Sequence, residues 1–124
     1  MCIRDRKKTL VLGASDNPAR YAYKAVHSLT RHGHEVVPVG LRKGQIAGLD
    51  IHTDRPTDSE IDTVTLYVGP QNQPTWYDYI LDLKPKRIIF NPGTENPELE
   101  RMAQERGIQT EEACTLVMLS IGQY

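Results

Sequence analysis

Two patterns of apolar and polar positions alternate along this chain. Short apolar or β-branched runs occupy residues 8–12, 35–39, 63–68, 87–90 and 108–110. They are too short to read as helices, and turn signals such as Gly13, Gly69-Pro70 and Asn91-Pro92-Gly93 close them, as expected of strands. Between them, apolar residues recur at helical spacing. Ala22, Ala25, Val26 and Leu29 fall at i, i+3, i+4 and i+7 and predict a helix over residues 21–32, with Gly33 in its C′ position. Pro74 is tolerated as a first helical residue, and Trp76, Tyr77, Ile80 and Leu81 then form an apolar face that Lys84-Pro85 ends. Asn96-Pro97-Glu98 reads as N-cap, proline at N1 and an acid favourable to the helix dipole. Leu99, Met102 and Ala103 supply that helix's buried face and Gly107 stops it. Ala113, Leu116, Val117 and Ser120 suit a last short helix. Residues 40–62 are rich in Gly, Asp and Thr and read as loop, with a short extended piece around residues 49–52.

Strands and helices alternating in this order predict an α/β fold with a parallel sheet and helices on both faces. Right-handed crossovers leave few topologies. The expected one is a doubly wound five-stranded parallel sheet of order 3-2-1-4-5 in three αβα layers. Ligands of such sheets bind beyond the carboxyl ends of the strands, at the switch point in strand order. In this order the switch lies between strands one and four, where loops 13–20 and 91–96 meet. Loops 40–44 and 69–72 extend the same edge.

A length of 124 residues suits one domain. Residues 1–7 read as a polar N-terminal tail, and residues 8–124 as the domain. With 25% charged and 39% hydrophobic residues, the chain reads as a soluble globular protein. The start, MCIRDRKK, has no apolar stretch behind its cations, so it is not a secretory signal. Cys2 and Cys114 form neither a disulfide framework nor a metal-ligand spacing, and a cytoplasmic location is the default expectation. The net charge of −1 hides an asymmetry: residues 1–48 hold 9 Lys/Arg against 3 Asp/Glu, and residues 49–124 hold 6 against 13. A basic first half suits a phosphate-bearing ligand. Without a basic stripe interleaved with aromatics, nucleic acid is not an expected partner, and no membrane role is expected either.

The first loop narrows the ligand. It enters a helix whose free N–H groups and dipole favour an anion. Gly13 lets the backbone approach a phosphate, Ser15 and Asn17 can donate, and Arg20 can pair with it. Two absences disfavour NAD. The second and third glycines of G-x-G-x-x-G are missing, and no acid ends strand two to take ribose hydroxyls. Arg42 and Lys43 follow that strand instead. Two cations there suit an extra ribose phosphate, which leaves coenzyme A and NADP as candidates. The NADP alternative implies an oxidoreductase or its nucleotide-binding subunit, for which no residues that would serve a hydride transfer are found.

The segments VLGASDNPARY, GHEVVPVG and IFNPGTENPELERMAQERGI, with the late Cys114, resemble the small stand-alone CoA-binding domain proteins. Those are similar to the CoA-binding domain of the succinyl-CoA synthetase alpha subunit. The resemblance runs from about Lys8 to the C-terminus. It implies a Rossmann-like fold that binds coenzyme A or acyl-CoA at the first loop, where Gly13, Ala14, Ser15, Asn17, Pro18 and Arg20 fall. It places Val39 and Gly40 near the adenosine, and Pro70 and Gly93 beside the pantetheine path. In the synthetase a second domain supplies a phosphorylated histidine, and no such segment is recognised here. The expected role is therefore binding without chemistry. No catalytic residue and no metal ligand is assigned: His27, His32, His34 and His52 lie off the expected site loops, and Cys114 reads as a small buried thiol, with a mixed disulfide to an oxidised CoA thiol as the alternative.

Overall fold

The computed structural model describes residues 8–54, 60–122 and 124, so the expected N-terminal tail lies outside the described residues. In chain order, β1 spans Thr9–Leu12, α1 Tyr21–Arg31, β2 Val36–Val39, β3 Gln45–Ile46, β4 Leu49–Asp50 and β5 Thr63–Leu66. Two 3₁₀ turns, Pro70–Asn72 and Pro74–Trp76, lead into α2, Tyr77–Asp82. Then come β6 at Arg87–Phe90, α3 at Pro97–Glu105, β7 at Gln109–Glu112 and α4 at Thr115–Ser120. The strands β2-β1-β5-β6-β7 form one parallel sheet, and β3 and β4 form a separate antiparallel hairpin.

Alternation along the strands divides the core between the two faces. Leu10, Leu12, Val64, Leu66, Ile88 and Phe90 pack with Ile80 of α2 and Leu99 and Ala103 of α3. Val11 and Val36 pack on the other side with Ala22, Val26 and Leu29 of α1 and Leu119 of α4. That second face turns polar toward β6. There Thr65 bonds Thr115 at 2.8 Å, and Arg87 reaches Thr63 at 3.2 Å and Glu111 at 3.4 Å.

Doubly wound α/β layering is thus as expected, but one strand lies elsewhere. The order 3-2-1-4-5 places the third long strand outside β2. In the structure it is β5, and it pairs with β1 in the register Thr9↔Thr63 to Leu12↔Leu66, leaving β2 at the edge. Pro38 gives a physical reason. Proline has no N–H to donate to a ladder and is confined to sheet edges. Its carbonyl accepts from the His52 N–H at 2.9 Å on the side of β2 away from β1, and Gly40 N–H donates to the His52 carbonyl at 3.0 Å. A central β2 would set a strand against a position with no donor. The switch point therefore lies between β1 and β5, where loop 13–20 meets loop 67–73. Loop 91–96, expected at the switch, leaves the sheet at β6, two strand spacings or about 10 Å from β1.

Smaller differences follow from local chemistry. The fifth long strand begins at Gln109 and runs on to Glu112, beyond the expected residues 108–110. The helix expected from Pro74 starts as 3₁₀ turns and becomes α-helical only at Tyr77. The start of α3 is as read: Asn96 Oδ1 accepts from Glu98 N at 3.1 Å and Leu99 N at 3.3 Å, with Pro97 at the first helical position.

Candidate functional site

The C-terminal edge of the sheet is built from its strand ends upward. At the end of β1, the N–H groups of Gly13 and Ala14 both donate to the Val39 carbonyl at 2.8 Å. These two donors close β1 onto β2 and do not face a ligand. Gly13 has φ +95°, and a Cβ there would stand 3.0 Å from the Tyr67 carbonyl carbon and oxygen. Gly40 is needed for a different reason: a Cβ there would run into the Ala14 carbonyl oxygen. Thus Gly13, Ala14, Val39 and Gly40 are brought together, as expected, and the loop after β5 packs against them.

Beyond Ala14 the loop holds itself. Ser15 Oγ accepts from Asn17 N at 3.1 Å, Asn17 Oδ1 accepts from Ala19 N at 3.0 Å, and Arg20 N donates to the Asn17 carbonyl at 3.0 Å. Both side chains were read as donors, and their oxygens serve as acceptors inside the loop. The Ser15 hydroxyl hydrogen and the Asn17 amide NH₂ are the parts left for a ligand. Asn17, Pro18 and Arg20 are exposed. Arg20 stands at the N-cap of α1 in extended conformation, its side chain makes no capping bond, and the helix's first turn holds no acid. Such an end presents N–H donors and the positive end of the dipole with no carboxylate to compete.

Two buried amides fix the neighbouring loops. Gln73 is fully buried; its Nε2 donates to the Val68 and Thr94 carbonyls, each at 2.8 Å, and its Oε1 accepts from Asn96 Nδ2 at 2.9 Å. This ties loop 67–73, which carries Pro70, to loop 91–96, which carries Gly93. Asn91 Nδ2 donates to Thr65 Oγ1 at 2.6 Å and the Leu66 carbonyl at 2.8 Å, while its Oδ1 accepts from Thr115 N at 2.9 Å. Sequence reasoning took Asn91 as turn chemistry and gave Gln73 no role, because nothing local marks an amide that will be buried. The Tyr67 phenol lies near Thr65, Thr115 and Cys114; burial first, then the Cys114 thiol, pushes its pKa well above the usual range. Cys114 is a half-buried free thiol at the N-cap of α4.

Arg42 and Lys43 are exposed in the loop after β2. Lys43 borders an open cleft of about 420 Å³ shared with Gln45, Asp50, His52 and Asp54. The cleft touches the first loop: a Cβ at Gly44 would stand 2.6 Å from Asp16 Oδ2. The sequence reading puts His52 off the expected site loops. Its backbone bridge to Val39 instead seats it beside the end of β2. Among the described residues, no three His, Cys, Asp or Glu side chains converge as a metal site, and no helix is long and apolar enough to cross a membrane.

A family model described as a CoA binding domain matches residues 7–120. The chain belongs to that family. Solved structures agree with the assignment in fold. A crystal structure titled only as an uncharacterized protein superposes with TM-score 0.94 at 56% identity, covering 96% of this chain and 98% of that one. A hypothetical protein from Pyrococcus horikoshii OT3 follows at TM-score 0.85 and 24% identity, covering 96% and 85%. A Thermus thermophilus protein gives TM-score 0.84 at 22% identity, covering 98% and 93%; at these last two identities the likeness speaks for the fold alone. No curated protein matches the chain.

Proposed function

We propose that this CoA-binding-domain protein binds coenzyme A, free or acylated, with the phosphate groups on loop 13–20 and the first turn of α1, and that it performs no chemistry on the ligand. The observation that carries this is the start of α1. It is uncapped, free of acids, flanked by exposed Arg20, and seated at the switch between β1 and β5. Gly13 and Gly40 let that loop lie against Tyr67 and the end of β2 without a side chain in the way. Family membership points to the same ligand. Asn91 and Gln73, the polar groups buried behind the loops, have both ends of their amides engaged in holding the loops, which suits a receptor more than a reacting centre.

Thermal unfolding with CoA, desulfo-CoA, NADP and NAD added separately tests this. A ligand that binds only the native state stabilises it by RT ln(1 + [L]/Kd), about 2.7 kcal/mol at a hundredfold excess over Kd. CoA and desulfo-CoA are expected to raise Tm together, since the phosphates and not the thiol are the anchor. A rise with NADP and none with millimolar CoA overturns the proposal.

A further inference from the structure

We infer that Tyr124 is a positioning residue for the ligand edge: from the opposite edge of the sheet it holds α4 in place, and α4 in turn holds Asn91 beneath the loops of the site. The identity of the ligand alone rests on the coenzyme A reading. Helix α4 has six residues and cannot stand by itself, since isolated helices shorter than about 12–15 residues are marginal in water. Its buried apolar side chains are Met118 and Leu119, while Val117 and, one turn on, Ile121 are 52% and 61% exposed. Polar pins at its two ends supply the rest. At the ligand edge, Thr115 N–H donates to Asn91 Oδ1 at 2.9 Å, and the Thr115 hydroxyl bonds Thr65 Oγ1 at 2.8 Å. Asn91 Nδ2 in turn donates to the carbonyl of Leu66, the last residue before loop 67–73.

The other pin is Tyr124. Gly122, with φ +73°, turns the chain after α4, and the Tyr124 hydroxyl bonds Thr9 Oγ1 at 2.6 Å. The Arg87 guanidinium carbon lies 4.6 Å from the centre of the Tyr124 ring, a cation–π contact, and the His34 ring centre lies 4.9 Å away. Thr9 begins β1, Arg87 begins β6 and His34 precedes β2, so this one side chain ties α4 to the starts of those strands. It is also the less complete pin. Arg87 is 8% exposed; its Nε reaches Thr63 at 3.2 Å and its Nη1 reaches Glu111 at 3.4 Å, but its Nη2 is buried without a partner. The ring over the guanidinium helps keep water from Nη2, and a buried donor without a partner costs free energy. That cost offsets part of what docking Tyr124 gains, so α4 lets go first at this end, and the Thr115–Asn91 bond holds while Tyr124 is seated.

Amide hydrogen exchange of the full chain without ligand tests the inference. The site reporter is Thr94, whose N–H donates to the Asn91 carbonyl at 2.9 Å. Tyr124→Ala is expected to speed exchange at Thr115, Met118 and Thr94 by about tenfold or more, with Leu99 and Ala103 of α3 changing by less than about twofold, because the opening is local. Tyr124→Phe keeps the ring and loses the Thr9 bond. It is expected to give the same pattern at smaller amplitude, and it decides the question should the alanine variant fail to fold. Equal acceleration in α4 and α3 makes Tyr124 a contributor to global stability alone, and that result, or no acceleration at Thr94, overturns the inference. Titration calorimetry with CoA gives a second readout. Tyr124→Ala is expected to weaken CoA by about fivefold or more, the low end of usual couplings between distant sites. Wild-type affinity in that variant overturns the inference while the coenzyme A reading stands. If CoA does not bind wild type, that reading falls and exchange at Thr94 still decides the role of Tyr124.

Discussion

At the scale of single residues, Arg20 carries the sharpest expectation. It is exposed and stands at the N-cap of α1, where its side chain makes no capping bond. Arg20→Ala is expected to weaken CoA by about 1.5–3 kcal/mol, the worth of a hydrogen bond to a charged group. Stability without ligand changes by less than about 0.5 kcal/mol, as for other exposed sites. Equal CoA affinity in titration calorimetry assigns Arg20 to the turn alone. The glycine of this loop was legible in the sequence because its constraint is local: Gly13 ends a strand with positive φ. What Ser15 and Asn17 do was not legible. Both types accept and donate, and only the folded loop decides that their oxygens face inward.

At the scale of elements, periodicity and capping placed most of the chain. Strand β6 lies where the apolar run predicts it, and α3 begins on the predicted cap because Asn96, Pro97 and Glu98 each satisfy a local rule. Asn96 does more than cap. Its Nδ2 also donates to Gln73 Oε1 and to the Tyr77 hydroxyl, at 2.9 and 2.8 Å. Asn96→Ala is therefore expected at the upper end of the usual cap loss of about 0.5–2 kcal/mol. In urea the midpoint falls while the m-value holds; an unchanged midpoint means that water replaces all of these bonds. Strand order was the part misjudged, although a signal was present. Pro38 in GHEVVPVG marks an edge strand, and an edge β2 leaves β5 to pair with β1. The short extended piece expected around residues 49–52 is β4 with the His52 bridge, while β3 and the pairing of the hairpin went unread because two-residue strands carry no period.

At the scale of the whole molecule, the sheet has one apolar face and one mixed face. Under α2 and α3 the buried contacts are apolar, and Gln104 Nε2 donates to Thr110 Oγ1 at 2.9 Å at the exposed β7 edge. Under the short α4, hydrogen bonds among Thr65, Asn91 and Thr115 stand beside Leu119, which packs into the apolar cluster with Val11 and α1, and Arg87 bonds Thr63 and Glu111 on the same face of the sheet. Buried bonds of this kind fix geometry, since a group left without its partner costs about 1–3 kcal/mol. The mixed face lies behind the loops at the switch point, so those loops rest on a base with one arrangement. The sequence suggested both faces through alternating strands. It hid the polar half, because threonines in a strand read equally well as solvent-facing. If this architecture serves a ligand, binding is concentrated at one edge of the sheet and leaves the opposite edge untouched.

A backbone amide NMR titration of the 14.0 kDa chain with CoA tests that claim most directly. The account predicts the largest shift changes in residues 15–24, then in 40–44 and 67–70, with Lys8, Asp62 and Lys86 at the far ends of the strands unmoved. Saturating CoA that leaves residues 15–24 in place, or that moves only residues away from this edge, contradicts it.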